Sequence, residues 1–225
     1  MQSEHSSAFL TATQTIDSRH PAVLAFAQQH CAGVKASMSQ AIKLYYAVRD
    51  GIRYDPYHVD LTVSGLRASA TLLHQSGWCV SKAVLLAACC RAMAIPARLG
   101  FADVRNHLST QQLKQRMGTD VFYWHGYTEL WLNEQWVKAT PTFGSKLCQR
   151  LRLLPLEFDG QHDSLYHAYD AAGQQSMAYI QQRGVYADLP LEAIRQTFKE
   201  RYNFSDQEES TIGSFDQEIA IERQV

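Results

Sequence analysis

The chain has 225 residues, of which 46% are hydrophobic and 19% are charged, and its formal net charge is −1. This size predicts one globular domain with appendages, and the near-zero charge argues against nucleic acid or an anionic membrane surface as a partner. No run approaches the ~20 apolar residues of a membrane-spanning helix, and the first seven residues lack the features of a secretory signal. Five irregularly spaced cysteines favour free thiols in a reducing, cytoplasmic compartment over a disulfide framework.

Helical periodicity dominates the first hundred residues. Four helices are predicted, at about 17–31, 39–50, 68–74 and 79–93. The last of them starts at Cys79 and is apolar nearly all round, which indicates a central buried helix. Ile95-Pro96 ends this helix, and residues 97–101 follow as a strand.

A polar connection is then predicted over 102–120, with one helical piece whose start at Ser109 resembles a capping box. Beyond the middle of the chain the pattern weakens, and it predicts only a strand within 184–189 and a helix over 190–202. We therefore divide the chain into four parts: an N-terminal arm and helix at 1–39, a core at 40–145, a C-terminal extension packed on the core at 146–204, and a mobile tail at 205–225.

An aromatic β-hairpin is predicted from β-rich residues at 122–132 and 135–140, with Asn133-Glu134 as its turn. A two-residue loop fixes the register of the two strands. The cross-strand pairs of this register are Trp131 with Trp136, Glu129 with Lys138, Tyr127 with Thr140 and His125 with Thr142. The second pair is predicted to be an ion pair, and the register also puts His125 and Thr140 on one face as diagonal neighbours.

Cys79 follows Gly77-Trp78 at the point where a turn becomes the central helix. Unpaired N–H groups and the partial positive charge of a helix start favour a thiolate, so we expect a pKa below the usual ~8.5. A cysteine at a helix start is more often structural, and a catalytic one needs a base. His125 is the best candidate, because a rigid strand can hold an imidazole in the geometry that proton transfer requires.

Four segments carry a resemblance to a known family. They are GWC at 77–79, AIPAR at 94–98, WHGYTELWL at 124–132 and WVKATPTF at 136–143. In this order they resemble the transglutaminase-like superfamily over about residues 40–145. The resemblance implies an α+β, papain-like core whose central helix packs on an antiparallel sheet. It further implies a Cys-His-Asp triad that transfers acyl groups from amides without a cofactor, with Cys79 as nucleophile and His125 as base.

The third triad position departs from the family pattern, because Thr140-Pro141 stands where the family usually has Asp-Pro. A threonine hydroxyl can accept a hydrogen bond from imidazole, but it cannot stabilise an imidazolium as a carboxylate does. Either Thr140 orients the ring, or a carboxylate such as Asp103, Asp120 or Glu129 does so. The alternative is that Thr140 is a plain strand residue of an inactive relative.

Four residues are candidates for substrate binding. Trp78 and Tyr57 are chosen because they lie near the site in sequence, and Asp103 and Asn106 because they occupy the long connection, where a loop could contact substrate. A hydrogen-bonded structural turn is the alternative for that connection. The stretch 162–170 is rich in histidine and aspartate, but its spacing matches no closed zinc pattern, so no metal is expected.

These observations predict cysteine-dependent acyl transfer on amide bonds, by a peptidase or amidase that works through a thioester on a peptide or protein substrate. The backbone N–H of Cys79 is the expected oxyanion donor, because amides at a helix start point outward. Two alternatives remain: a protein-crosslinking transglutaminase, and a catalytically silent module that binds peptides in the same cleft.

Overall fold

The computed structural model describes residues 7–107, 109–165, 173, 176–203 and 215–222. The helices are α1 (Pro21–His30), α2 (Ser37–Gly51), α3 (Ala68–His74), α4 (Cys79–Ala92), α5 (Gln111–Met117), α6 (Ser145–Leu151), α7 (Leu191–Arg201) and α8 (Phe215–Glu222). The strands are β1 (Arg53–Tyr54), β2 (Ser76–Gly77), β3 (Ala97–Asn106), β4 (Val121–Leu132), β5 (Gln135–Ala139) and β6 (Met177–Tyr186).

The architecture is α+β, as the sequence predicts. β1 and β2 form a short parallel pair, and the other four strands form an antiparallel sheet in the order β5-β4-β3-β6. α4 packs on β3 and β4 and is surrounded on its other sides by α1, α2 and α3. The side chains from Cys79 to Arg91 are all buried, which confirms that α4 is the central helix.

The hairpin of β4 and β5 has the predicted register. Trp131 faces Trp136 with ring centroids 5.4 Å apart, and Asn133 and Glu134 both have positive φ, as a tight two-residue hairpin turn requires. The predicted ion pair between Glu129 and Lys138 is wrong. Glu129 instead pairs with an arginine from β3, and Lys138 with an aspartate beyond β5, because each finds a closer partner outside the hairpin.

β3 is twice as long as predicted. Residues 102–106, expected in a polar connection, continue the strand, because β6 pairs with them from the other side. Only Met177 of β6 is buried, and Gln181, Gln182 and Arg183 interrupt its apolar residues, so its sequence gives a weak strand signal. The predicted cap at Ser109 is also wrong: the Thr110 side chain caps α5 by accepting the N–H of Leu113 at 3.2 Å.

A β-bulge interrupts the pairing of β3 with β4. Ala102 pairs with His125 and Val104 with Phe122, so two residues of β4 stand opposite a single residue of β3. One of the two is Trp124, whose φ is +58°. A bulky residue in the left-handed region costs of the order of 1–3 kcal/mol, and it persists only where surrounding contacts enforce it.

Part of the predicted mobile tail is ordered. Residues 215–222 form α8, and both Phe215 and Ile219 are buried. The Phe215 ring packs edge-on against Tyr54 and Tyr57, so an acidic, polar sequence is anchored by two apolar side chains. Within the described residues no helix has the length and apolar character that crossing a bilayer requires.

Candidate active site

Cys79 begins α4 and lies almost wholly out of contact with solvent, with 3% of its surface exposed. Trp78 precedes it with an extended backbone and forms the N-cap. The cysteine contributes to the wall of a narrow cavity of about 30 Å³. The other walls are mostly apolar and aromatic: Tyr54, Pro56, Val59, Trp78, Leu113, Met117, Phe122, Tyr123, Phe198 and Tyr202. The cavity admits about one small group beside the sulfur.

The expected low pKa of the thiol is not found. Burial raises the pKa of Cys79 to about 11, although backbone N–H groups of Gly126, Val80 and Cys79 itself act in the opposite direction. The helix start therefore supplies the stabilising donors that the sequence predicts, but desolvation of the sulfur outweighs them. Burial also raises the pKa of Cys148 to about 11, so Cys79 differs in its surroundings rather than in acidity.

The N–H of Gly126 reaches the sulfur past the end of β5. The N–H of Trp131 donates to the carbonyl oxygen of Pro96, directly before β3, so by alternation the N–H groups of residues 126, 128 and 130 point towards β5. β5 pairs with β4 only as far as Thr128, which leaves the Gly126 donor uncovered. A Cβ at Gly126 would lie 3.0 Å from the Cα of Val80, so any other residue would push strand and helix apart by a few tenths of an ångström.

His125 precedes this glycine on β4 and is buried. The Thr128 hydroxyl donates to Ala83 of α4 at 2.9 Å, so Gly126 and Thr128 face the helix. Alternation along the strand then puts the side chain of His125 on the opposite face of the sheet. The structure thus brings the backbone beside His125 to the Cys79 sulfur.

Thr140 directly follows β5, on the same face as His125 by the register of the hairpin. Its N–H donates to Ser164 at 2.9 Å, and its carbonyl accepts the Tyr45 hydroxyl at 3.2 Å. Its own hydroxyl is buried and has no hydrogen-bond partner among the described residues. The predicted hydrogen bond from the imidazole to this hydroxyl is therefore not present in the structure.

The three carboxylates that could replace the missing aspartate all pair with arginine. The pairs are Asp103 with Arg183 at 2.7 Å, Glu129 with Arg98 at 2.6 Å and Asp120 with Arg105 at 3.3 Å. Asp103 and Glu129 are buried in these pairs, and Asp120 is at the surface. Each carboxylate is thus already bound to a cation of the sheet.

The candidate substrate-binding residues separate into two groups. Trp78 and Tyr57 line a cleft of about 710 Å³ whose wall also includes Arg53 and Asp55, and Trp78 borders the cavity at Cys79 as well. The Tyr57 hydroxyl bonds to the carboxylate of Glu218 in α8, so this tyrosine anchors the C-terminal helix.

Asp103 and Asn106 belong to the second group. They lie in β3 rather than in a loop, and neither is among the described residues that line the cleft or the cavity. Both side chains are buried, and β3 lies between β4 and β6 in the sheet. The structure therefore does not support a loop that contacts substrate at these positions.

Lys82 is a buried cation that the sequence reading missed. It lies three residues after the nucleophile position, and its ammonium donates to the carbonyl oxygens of Arg49 at 3.0 Å, Ile52 at 2.7 Å and Thr142 at 2.9 Å. These bonds tie the end of α2 and the segment after β5 to α4. The signal available in sequence was a lysine inside an otherwise apolar helix.

No metal centre is assembled within the described part of the chain: no group of three or more histidine, cysteine or carboxylate side chains is close enough to hold an ion. Of the stretch at 162–170, residues 166–170 lie outside the described residues. His162 bonds to Asp159 at 2.7 Å, which is a local surface contact.

Two solved structures resemble the chain at low identity. "Putative Cysteine Protease from Cytophaga hutchinsonii" is 19% identical and has a TM-score of 0.46, with 79% of this chain and 53% of that one covered. "Putative Protease from Parabacteroides distasonis" is 13% identical with a TM-score of 0.40, covering 60% of this chain and 26% of that one. The chain therefore spans about half the length of the first and a quarter of the second.

A comparison with curated proteins finds no match. The family model of the transglutaminase-like superfamily matches residues 24–141, which is more than half of the chain. The match includes α4 with Cys79, the β4–β5 hairpin with His125, and Thr140 at its end. The chain belongs to the transglutaminase-like superfamily.

Proposed function

We propose that the protein is a cysteine-dependent amidase or peptidase that hydrolyses amide bonds of peptides or proteins through a thioester. The observation that carries this proposal is the position of the Cys79 sulfur. It lies at the start of the central helix, in the wall of a cavity, and accepts the N–H of Gly126, the residue after His125. A purely structural cysteine needs neither a cavity nor an uncovered donor.

The thiol needs a base in this mechanism. With a pKa of about 11, only about one thiol in ten thousand is ionised at pH 7. We propose that His125 reaches the sulfur around the open edge of β4 and takes its proton as the sulfur attacks the amide carbonyl. The imidazolium then gives this proton to the leaving amine.

The tetrahedral intermediate carries a negative oxygen. The N–H of Cys79 is in the first turn of α4 and has no acceptor within the helix, so it is the proposed donor to this oxygen. Water then attacks the thioester with His125 as base, and the acid product and the free thiol are released.

The larger cleft is the proposed binding region for the peptide, because Trp78 and Val59 border both the cleft and the cavity at Cys79. Its walls carry both signs of charge, including Arg53 and Asp60. Free thiols at all five cysteines support a reducing compartment such as the cytoplasm as the place of action.

A second candidate is a catalytically silent module that binds peptides in the same cleft. Thr140 favours it, because a neutral residue cannot stabilise an imidazolium and its hydroxyl has no hydrogen-bond partner among the described residues. A crosslinking transglutaminase differs from the hydrolase only in the acceptor that resolves the thioester, a lysine amine in place of water.

The test combines thiol labelling with turnover of a fluorogenic peptide-amide library. We expect iodoacetamide to modify Cys79 before the other four cysteines, and Cys79→Ser to abolish turnover. Cys148→Ser is the matched control, since that thiol is also buried and its pKa is also raised to about 11. Turnover retained in Cys79→Ser would refute the mechanism. Peptide binding without turnover in the wild type would establish the silent module. Release of ammonia together with incorporation of an added amine would establish the crosslinking enzyme.

A further inference from the structure

We infer that the ion pair of Asp103 and Arg183 positions His125 by holding the bulge of β4 in place. The inference rests on the proposed role of His125 as base and assigns its orientation to groups outside the expected triad. Asp103 is thereby a positioning residue, neither the third member of the triad nor a contact for substrate.

The bulge decides which face of the sheet His125 occupies. Along β4, the residue numbers of each pair with β3 sum to 226 before the bulge, as in Val104 with Phe122. After the bulge they sum to 227, as in Ala102 with His125. A shift of one residue exchanges the two faces of a strand. Without the bulge, the glycine that fits against α4 and the histidine beside it would exchange faces.

Trp124 holds the conformation that makes this shift. Its backbone φ is +58°, and its N–H donates to a carboxylate oxygen of Asp103 at 3.0 Å. Its indole N–H donates to Thr197 of α7 at 2.9 Å. Trp124, a bulky residue that this backbone region disfavours, is thus held by both its backbone N–H and its ring, directly before His125.

Arg183 completes the enclosure from β6. Its guanidinium makes two-pronged contact with Asp103, with nitrogen–oxygen distances of 2.7–3.0 Å, and its central carbon lies 5.1 Å from the centre of the Trp124 ring. The carboxylate is 3% exposed, so its charge requires this partner. Arg183 therefore holds the Asp103 carboxylate, which accepts the backbone N–H of Trp124, and also packs on the face of the Trp124 ring.

A merely structural ion pair would show different behaviour from a positioning pair. Removing it would lower the unfolding temperature and leave the properties of His125 unchanged in the folded protein. Loss of a positioning pair would change the imidazole of His125, because Asp103 holds Trp124, the bulge residue directly before it.

The experiment measures the imidazole of His125 by NMR, together with the amide resonance of Gly126, in Asp103→Ala and Asp103→Asn. Asparagine retains an acceptor for the Trp124 N–H, whereas alanine does not. We expect Asp103→Ala to move the His125 pKa by at least half a unit, and to lower kcat about 100-fold with KM within twofold, as misplacement of a reacting group does. We expect Asp103→Asn to stay closer to the wild type in both measurements.

Glu129→Gln is the matched control, because it breaks another buried carboxylate–arginine pair of the same sheet, away from the bulge. We expect it to leave the His125 pKa within 0.2 units. If Asp103→Ala is folded and its His125 and Gly126 resonances match the wild type, the inference is overturned. If the alanine variant does not fold, His125 and Gly126 resonances in Arg183→Ala that match the wild type overturn it instead.

The NMR readout does not depend on activity. A wild type without turnover would remove the proposed function and leave the positioning of His125 testable by its pKa. Turnover lost in Asp103→Ala with an unchanged His125 pKa would refute the positioning role and leave the proposed function standing.

Discussion

Each end of α4 buries a cysteine and a cationic side chain, but the surroundings of the two cysteines differ. At the start of the helix, Cys79 lies near Lys82; at its end, Cys90 lies next to Arg91. Each of the two cations is buried and, within the described residues, donates to backbone carbonyl oxygens from three segments. The acceptors are Arg49, Ile52 and Thr142 for Lys82, and Thr11, Ala97 and Ala187 for Arg91.

The difference between the two ends lies in what faces the thiol. Cys79 meets backbone N–H groups and a cavity, whereas burial among apolar side chains raises the pKa of Cys90 far above its ordinary value. Depth of burial and a neighbouring cation are common to both. We therefore expect the proposed reactivity of Cys79 to depend on the N–H donors and the cavity at its sulfur, and the comparison can be tested by changing each of these.

The largest effect is expected from replacing the two cations. Lys82→Met and Arg91→Met each leave three carbonyl groups without a donor, and each should lower the free energy of unfolding by about 2–4 kcal/mol. Lys82→Met should also lower turnover of a peptide amide about 100-fold, since Lys82 holds the first turn of α4, which carries Cys79, against α2 and the segment after β5. Arg91→Met should leave turnover per folded molecule unchanged. Equal losses of turnover would mean that the two ends do not differ in function.

Closing the space between strand and helix should give the next largest effect. In Gly126→Ala the new methyl group meets the backbone of Val80 at 3.0 Å, which should cost about 1–3 kcal/mol and displace the donor to the sulfur. Urea unfolding and the alkylation rate of Cys79 measure the two consequences. Gly51→Ala is the control, because a Cβ there meets nothing within 4 Å. Unchanged alkylation in Gly126→Ala would show that the strand donor does not affect the thiol.

The pH dependence of stability should also separate the two cations. Burial lowers the pKa of Lys82 from 10.5 to about 7. Between these values the unfolded chain binds the proton more strongly than the folded chain, so raising the pH through this window favours folding.

Relative to Lys82→Met, the wild type should gain up to about 1.4 kcal/mol per pH unit between pH 7 and 9 in urea titrations. Arg91→Met should show no such trend, because burial lowers the pKa of Arg91 only to about 10. If the difference in the free energy of unfolding between the wild type and Lys82→Met does not change with pH, the three carbonyl groups keep the ammonium protonated throughout.

The smallest effect concerns the unpartnered hydroxyl of Thr140. Thr140→Val should raise the free energy of unfolding by up to about 1 kcal/mol and leave Cys79 alkylation unchanged, because no hydrogen bond is lost. Thr142→Val is the control, since that hydroxyl is also buried without a hydrogen-bond partner among the described residues. Slower alkylation in Thr140→Val would instead assign the hydroxyl to the site.

Thr140→Asp sharpens the same point. A carboxylate on the face of His125 raises the pKa of the imidazole and favours the charged thiolate–imidazolium pair. We expect faster iodoacetamide labelling of Cys79 at pH 6 than in the wild type, with Thr140→Asn as the uncharged control. Equal rates in the two variants would place Thr140 outside the reach of the imidazole.

The sequence predicts well where local signals are strong. The bounds of α3 and α4 and the register of the hairpin follow from apolar periodicity, a proline and a two-residue turn with facing tryptophans. The sequence predicts β6 only in part, because a single residue of this strand is buried and its pairing with β3 joins segments far apart in the chain. The acidity of the thiol was predicted with the wrong sign, since a helix start is visible in sequence and the enclosure around it is not.

Lys82 shows a further limit of sequence reading. Its three acceptors are backbone carbonyl groups 30 to 60 residues away along the chain. Backbone acceptors leave no trace in side-chain identity, so no pattern pairs them with the lysine. The bulge at Trp124 is invisible for the same reason, because the register that reveals it belongs to two strands at once.

The length of β5 has a consequence for how such a site could arise or be lost. Continued by two residues, the hairpin register would place Pro141 opposite Gly126. Proline has no N–H to offer a ladder, and β5 ends at Ala139, so the strand stops before it can cover the glycine. A substitution at Pro141 that lets β5 lengthen would engage the Gly126 N–H in a hydrogen bond of the sheet and withdraw it from the Cys79 sulfur. Pro141 would in this way act as a spacer that keeps the Gly126 N–H available to the Cys79 sulfur.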